Sequence, residues 1–261
     1  LGLAIRRSCF DTLLLNAASA ENNVDVRTGE VVDAPIFENG AVTGVIARGH
    51  AHKASLVVAA DGVNSPLRQK LGWGTARASR RFGVRRHYRA SGPTEPWVDI
   101  FLGEGSETYV TPLPGQEIGI ATLGDHRGEL PPSLRDLEPI DAPLGAAPLT
   151  VRPTRRFAPG CVLLGDAAGS CDPITGGGIS QALLSSELLA RHLARRFPAD
   201  LQTLAEFDRA RERMLAKYRW LASGVLALIA RPHLIRPSLA VLDQWPSLFT
   251  RLLAMAGGAP A

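Results

Sequence analysis

The residues from Gly165 to Ile179 carry the chemistry most plainly written in this chain. An acid sits in Gly165-Asp166-Ala167-Ala168, Asp172-Pro173-Ile174-Thr175 follows, and Gly176, Gly177 and Gly178 lead into Ile179. The Asp166 carboxylate can accept hydrogen bonds from hydroxyl groups. The glycines have no Cβ, so a ligand can approach their backbone closely. A helical pattern comes next, and a helix start presents free N–H groups with a partial positive charge. The stretch therefore supplies a carboxylate for hydroxyls and a positive helix end for an anionic group. A cofactor with a polyol arm and a ring that becomes anionic on reduction would use both. A flavin is such a cofactor. A strand-to-helix turn with incidental glycines is the weaker reading, because acid, proline and glycines fall in one order and spacing.

The flanking elements must position these residues. Gly160-Cys161-Val162-Leu163-Leu164 is a short apolar run closed by glycine at both ends, which reads as a buried parallel strand. After Ile179, the spacing predicts an amphipathic helix from Ser180 to Leu193. Leu183, Leu184, Leu188 and Leu189 would face the core, with Arg191, Arg195 and Arg196 at the helix C-terminus. A second helix is expected around Leu204 to Trp220. The apolar tail from Leu221 to Ala256 is interrupted by Pro232, Pro237 and Pro246, which should cut it into short helices. A helical layer packed on the sheet is the preferred reading of that tail. A lid, or a contact with a membrane surface, is the alternative.

The Gly165–Ile179 wording resembles the second FAD fingerprint of the p-hydroxybenzoate hydroxylase-like flavoproteins. Asp172-Pro173-Ile174-Thr175-Gly176 is most similar to their geranylgeranyl reductase-type branch. The resemblance implies that Asp166 bonds the ribityl chain and that the helix opening at Gly177-Gly178 faces the isoalloxazine N1/O2 edge. Gly165, Pro173, Gly176 and Ile179 complete that implied cofactor-binding set. Upstream, Asp61-Gly62-Val63-Asn64-Ser65-Pro66-Leu67-Arg68 resembles the family's Asp-Gly motif, which would put Asp61 and Gly62 beside the FAD pyrophosphate. Ser65-Pro66 also reads as an N-cap followed by proline at the first helical position. The family carries an arginine near the pyrophosphate before a helix. Arg7 matches it best and Arg6 competes, while simple decoration of a helix entry stands level with that role. Phe10, Leu13, Leu14 and Ala17 share one face of that helix.

The family's first fingerprint, a Gly-x-Gly-x-x-Gly loop between an opening strand and helix, is not found in this sequence. The chain thus reads as the larger C-terminal portion of a flavoprotein whose opening βαβ unit is missing. Residues 24–27, 31–32 and 42–47 read as strands, with an Asn39-Gly40 hairpin turn. Residues 54–60 read as a further buried strand. Between Arg77 and Arg156 the segments 80–89, 97–102, 107–112 and 118–123 read as antiparallel strands, where the resemblance puts a substrate platform. The basic run 80–89 could meet an acidic substrate or a nicotinamide phosphate. A solvated strand face is the preferred reading, with His87 a strand residue rather than a catalytic base.

A chain of 261 residues can bury a sizeable core, and 45% hydrophobic residues is ordinary for a globular protein. The net charge of +4 is mild, and no helix or aromatic pattern accompanies it, which argues against nucleic acid. Cys9, Cys161 and Cys171 include no Cys-x-x-Cys pair, so neither a metal site nor a disulfide framework follows. Cys171, beside the flavin-facing helix, reads as a small buried hydrophobe before a redox thiol. A reducing cytoplasm is the default location. The expected fold is α/β, an FAD-binding Rossmann-like domain incomplete at its N-terminus and assembled from residues 1–74 and 152–197. An antiparallel β-sheet substrate domain is inserted at 75–151, and C-terminal helices occupy 198–261. The expected function is an FAD-dependent oxidoreductase, first a monooxygenase-type flavoprotein oxidising a small organic or lipid-like substrate with NAD(P)H as electron donor. A reductase or dehydrogenase acting on an isoprenoid or quinone is the alternative. A third reading is a non-catalytic fragment needing a partner that bears the first fingerprint. No residue reads as catalytic.

Overall fold

The computed structural model describes residues 4–103, 105–125 and 130–257. In chain order, helix α1 (Arg7–Ser19) precedes strands β1 (Val32–Glu38), β2 (Ala41–Ala47), β3 (His50–Lys53) and β4 (Val57–Ala59). Helix α2 (Pro66–Lys70) and strand β5 (Thr75–Ala78) follow. The next strands are β6 (Phe82–Arg89), β7 (Asp99–Gly103), β8 (Ser106–Leu113), β9 (Glu117–Gly124) and β10 (Leu144–Ala146). Then come β11 (Val151–Pro153), β12 (Phe157–Ala158), β13 (Cys161–Leu163), and helices α3 (Gly178–Arg195), α4 (Leu201–Ile229), α5 (Pro232–Gln244) and α6 (Pro246–Gly257).

By contacts the chain divides into two compact units, residues 31–81 with 148–261, and residues 1–30 with 82–147. These limits differ from the sequence-based ones at both ends. Residues 1–30 group with the inserted sheet, to which Arg6 is tied through the Glu117 carboxylate of β9. The C-terminal helices group with β4, β13 and α3 rather than apart.

In the first unit, β13 lies between β12 (antiparallel) and β4 (parallel). Successive side chains of a strand point to opposite faces, and β13 is buried on both. Cys161 and Leu163 pack with Val57, Ala59, Leu67 and Trp73, while Val162 and Leu164 pack with Leu189, Leu204 and Phe207 from α3 and α4. Each fully buried side chain of this size contributes roughly 1.5–3 kcal/mol. The Arg156 guanidinium pins β12 to α4 through a bidentate pair with Asp208, at 2.6 and 2.8 Å. The antiparallel meander β1-β2-β3 turns at Asn39-Gly40, both with positive φ, as a two-residue hairpin of that wording requires. Residues 24–27, expected as a strand, are irregular.

The second unit is built on a five-stranded antiparallel sheet in the order β10-β6-β9-β8-β7. Its core joins Val110, Ile118, Ile120 and Leu134, with Tyr88 packed against them. Helix α1 buries none of its residues, and Leu13 and Leu14 are 60% and 43% exposed.

The helical tail corrects two expectations. Helix α4 runs on through Gly224 to Ile229, and Pro237 lies inside α5 instead of ending it. Nor do α5 and α6 form a layer on the sheet. They pack on α4 and on each other, and α5 has no buried residue.

One glycine fixes how the meander meets the parallel strands. Gly160, in the β12–β13 turn, has φ +74°, and a Cβ there would lie 1.9 Å from the Val42 carbonyl oxygen. On either side of that contact, the Val42 amide donates to Pro159 O and the Val57 amide to Gly160 O, each at 2.9 Å. Gly160→Ala should therefore cost about 2–4 kcal/mol through strain and forced separation of β2. Urea unfolding would check it, with Gly40→Ala, whose Cβ would meet no atom within 4 Å, costing less.

Candidate functional site

Strands β4 and β13 run parallel with Ala59 opposite Leu163, and the Leu164 amide donates to Ala59 O at 2.8 Å. The chain therefore leaves both strands at the same carboxyl end, bringing Asp61-Gly62 and Gly165-Asp166 to one edge. In open α/β sheets that edge is where ligands bind.

Gly165 has φ +56°, and a Cβ there would touch the Ala182 side chain at 3.6 Å, so strand and helix approach closely. Residues Gly165–Ala168 form a short 3-10 turn. Two buried arginines hold its carbonyl groups. Arg211 of α4 donates to Gly165 O at 3.2 Å, Ala168 O at 3.4 Å and Gly169 O at 3.1 Å. Arg68 of α2 donates to Ala167 O at 2.9 Å and to Val63 O at 2.8 Å. The two are only 2% and 3% exposed, and burial pulls both guanidinium pKa values down. Arg68 thus joins the Asp-Gly loop to the Gly165-Asp166 loop. Asp166 itself is exposed at this edge.

Asp61 is occupied by the turn it starts. Its carboxylate accepts from Ser65 Oγ at 2.5 Å and from the Leu67 amide at 2.9 Å. Ser65 caps α2 by accepting from the Arg68 amide at 3.0 Å, with Pro66 at the first helical position.

Asp172 is buried and caps the next 3-10 turn, Pro173–Thr175, accepting from the Ile174 amide at 3.2 Å. It also pairs with Arg81 at 3.0 Å. Gly176 is left-handed, and α3 opens at Gly178 with no side-chain cap. A Cβ on Gly62, Gly176 or Gly178 would meet no atom within 4 Å. Gly177 differs, because a Cβ there would lie 2.9 Å from both Ala256 O and Gln181 Nε2. Ile179 is 41% exposed. Around this helix start, Thr175 Oγ1, Gln181 Nε2 and the Tyr218 hydroxyl are buried with no hydrogen-bond partner. Burial raises the Tyr218 pKa, so its phenol keeps its proton at neutral pH and can donate.

The structure thus brings together Asp61, Gly62, Gly165, Asp166, Pro173, Gly176, Gly177, Gly178 and Ile179 in one unit. Arg7 belongs to the other unit, where its guanidinium is committed to Asp11 at 2.9 and 3.1 Å. In that unit His87 is not alone: Nδ1 meets the Asp141 carboxylate, whose second oxygen accepts from the His87 amide at 2.9 Å. These bonds hold the Asp141 carboxyl below its usual range. Cys161 is fully buried and its thiol is pushed up to about 12, while burial also raises Cys171. Both are poor nucleophiles. Among the described residues, no group of three or more His, Cys, Asp or Glu is placed to hold a metal.

This architecture is shared with flavoproteins. A flavin-dependent brominase superposes with a TM-score of 0.80 at 16% identity, covering 97% of this chain and 70% of its own. A geranylgeranyl bacteriochlorophyll reductase-like protein from Thermoplasma acidophilum gives 0.72 at 22% identity, covering 86% of this chain and 64% of its own. In sequence, digeranylgeranylglycerophospholipid reductase 2 of Methanococcoides burtonii is 27% identical over 237 residues, 80% of this chain. The chain spans 57% of that relative's length. No protein-family model matches the chain. In sequence the chain is thus similar to geranylgeranyl-lipid reductases, and its fold is that of flavin-dependent enzymes.

Arg68 and Arg211 carry the site's geometry, and apart from Glu212, 3.5 Å from Arg211, their partners are backbone carbonyls that no sequence motif marks. Arg211→Lys should cost about 2–4 kcal/mol, since one ammonium cannot serve three carbonyls in a buried space. Urea denaturation would measure it against Arg209→Lys, an exposed position on the same helix, expected within about 0.5 kcal/mol of the parent.

Proposed function

We propose that this chain holds FAD at the carboxyl edge of β4 and β13, and that the protein it represents is a flavin-dependent reductase acting on an apolar, isoprenoid- or quinone-like substrate. The observation that carries the FAD reading is the set of unpartnered buried polar atoms at the start of α3, beside glycines that leave the backbone open. Thr175, Gln181 and Tyr218 offer donors for the carbonyl-rich edge of an isoalloxazine, and the first N–H groups of α3 have no partner within the helix. Asp166 would accept hydrogen bonds from the ribityl hydroxyls. Arg68 and Arg211 keep its loop fixed without touching the cofactor. FAD, when bound, supplies the electron transfer, and the protein supplies position and electrostatics. The partial positive charge at the α3 N-terminus favours the ring carrying negative charge, which aids its reduced form. NAD(P)H is the proposed electron donor.

The sequence alone favours oxidation by a monooxygenase. The name of the Methanococcoides relative, a reductase of a geranylgeranyl lipid, moves the preference to reduction. Oxygen consumption coupled to a hydroxylated product would restore the monooxygenase reading. A saturated product formed under anaerobic conditions would support the reductase.

The exposed tail suits a lipid-like substrate. Trp245, Phe249 and Leu253 are 62%, 46% and 55% exposed, and Arg231, Arg236 and Arg251 lie on the same two helices or at their entry. Apolar and cationic groups together favour an anionic bilayer surface. No helix among the described residues is long and apolar enough to cross a membrane. Sedimentation with phosphatidylglycerol vesicles should pull the chain down. Trp245→Ser with Phe249→Ser should reduce the bound fraction several-fold, and equal sedimentation of parent and variant removes the surface role.

Flavin retention is tested by incubation with FAD, desalting and an absorption spectrum. The chain should keep near-ultraviolet and blue bands, and Asp166→Ala should lose them while its circular dichroism is unchanged. A folded parent chain that retains no flavin overturns the proposal that it holds FAD by itself.

A further inference from the structure

Strands β5 and β11 form a two-stranded ribbon in which Arg77 stands directly opposite Arg152. Residues opposed in an antiparallel pair project to the same face, with Cβ atoms about 4.5–5.5 Å apart, and like charges so placed repel. Neither guanidinium has an ion pair or hydrogen bond among the described residues. Both line a cavity of about 320 Å³ in their own unit. Arg81 and Arg219 also reach this cavity, but each already has a carboxylate, Asp172 at 3.0 Å and Glu212 at 3.1 Å respectively. The excess positive charge therefore lies on the opposed pair.

Two facing guanidiniums match a doubly charged anion. Each presents a planar fork of N–H donors suited to phosphate oxygens, where a single carboxylate would neutralise only one. The cavity is too large for the anion alone and falls at the lower end of the range that holds organic ligands, about 300–1,000 Å³. Ala222 and Leu226 of α4 give it an apolar wall. Cys171 and Asp172 line it too, and Asp172 caps the turn that leads to the start of α3.

We infer that Arg77 and Arg152 form a subsite for a phosphate monoester whose organic part lies against Ala222 and Leu226. The anion site stands independently of FAD. Its being a substrate or electron-donor subsite rests on the oxidoreductase reading, since that places the ligand next to the cofactor loop. Two sources share this chemistry, a phosphorylated amphiphile and the 2′-phosphate of a nicotinamide dinucleotide.

Calorimetric titration of the FAD-free chain separates them, using dihexanoyl phosphatidic acid against dihexanoyl phosphatidylcholine and NADP⁺ against NAD⁺. In at least one pair the monoester should bind about tenfold tighter or more, and that pair names the source. Arg77→Gln and Arg152→Gln should each weaken the monoester about tenfold. Both variants should melt at or above the parent temperature without ligand, because the repulsion is relieved. A merely structural cation would lower it. Equal affinity within both pairs, or no binding of any probe, overturns the subsite, as does binding indifferent to both substitutions. Inorganic phosphate binding as tightly as the better monoester overturns the role of Ala222 and Leu226. Monoester binding that persists while flavin retention fails sinks the FAD reading and leaves this one standing.

Discussion

The candidate site depends on two buried guanidiniums whose donors go mainly to backbone carbonyls, with Glu212 at 3.5 Å from Arg211 the one carboxylate they meet. Arg68 and Arg211 place their donors on backbone carbonyls, five in all. Burying a cation costs several kcal/mol, and neutral carbonyls offset that less fully than an anion would. What the arrangement secures is orientation. The Gly165 carbonyl belongs to the peptide plane that precedes Asp166, and a trans peptide directs its N–H opposite to its C=O. With that plane held by Arg211, the backbone at Asp166 has one setting, and its side chain stands exposed at the strand edge. Arg68 extends the same constraint to the Asp61-Gly62 loop through Val63. Two loops about a hundred residues apart in sequence, each following a parallel strand, become one rigid edge.

The local part of this site was legible in the sequence. Gly165 needs a positive φ and close contact with Ala182, Gly176 a left-handed conformation, and Ser65-Pro66 a helix start. Each is a demand that one or two residues express by type. Asn39-Gly40 is equally local. The strand at 161–163 was legible because it is buried on both faces and so carries no polar residue at all.

The long-range part was not legible, for a physical reason. Arg68 and Arg211 bond to carbonyls, which every residue has, so nothing at the partner positions marks the contact. The resemblance sets Asp61 in a turn beside the pyrophosphate, and the partners of its carboxylate, Ser65 and Leu67, lie four and six residues on. His87 read as a lone strand residue because Asp141 lies far along the chain. The tail misled in the other direction. Its leucines imply burial, but apolar content measures only what a helix can bury, and α5 and α6 find too little surface to cover their faces.

Arginine explains much of what composition alone leaves flat. In the unit that holds the strand edge, arginines of one residue type do three physically different jobs. Arg68 and Arg211 are desolvated and orient carbonyls. Arg81 and Arg156 face carboxylates of other segments and tie them together, while Arg219 meets Glu212 on its own helix. Arg77 and Arg152 remain uncommitted and opposed. The third job is tolerated because the ribbon is secured at its ends, by Ser79 N to Thr150 O at 2.9 Å, Leu149 N to Arg81 O at 3.0 Å and Thr154 N to Gly74 O at 2.8 Å. Backbone bonds there fix the two strands whatever their side chains do. Exposed cations repel only modestly in water, so a small cost in the free protein can be kept for a ligand that removes it. Charge held unpaired by backbone bonds marks a binding surface more directly than charge counted along the chain.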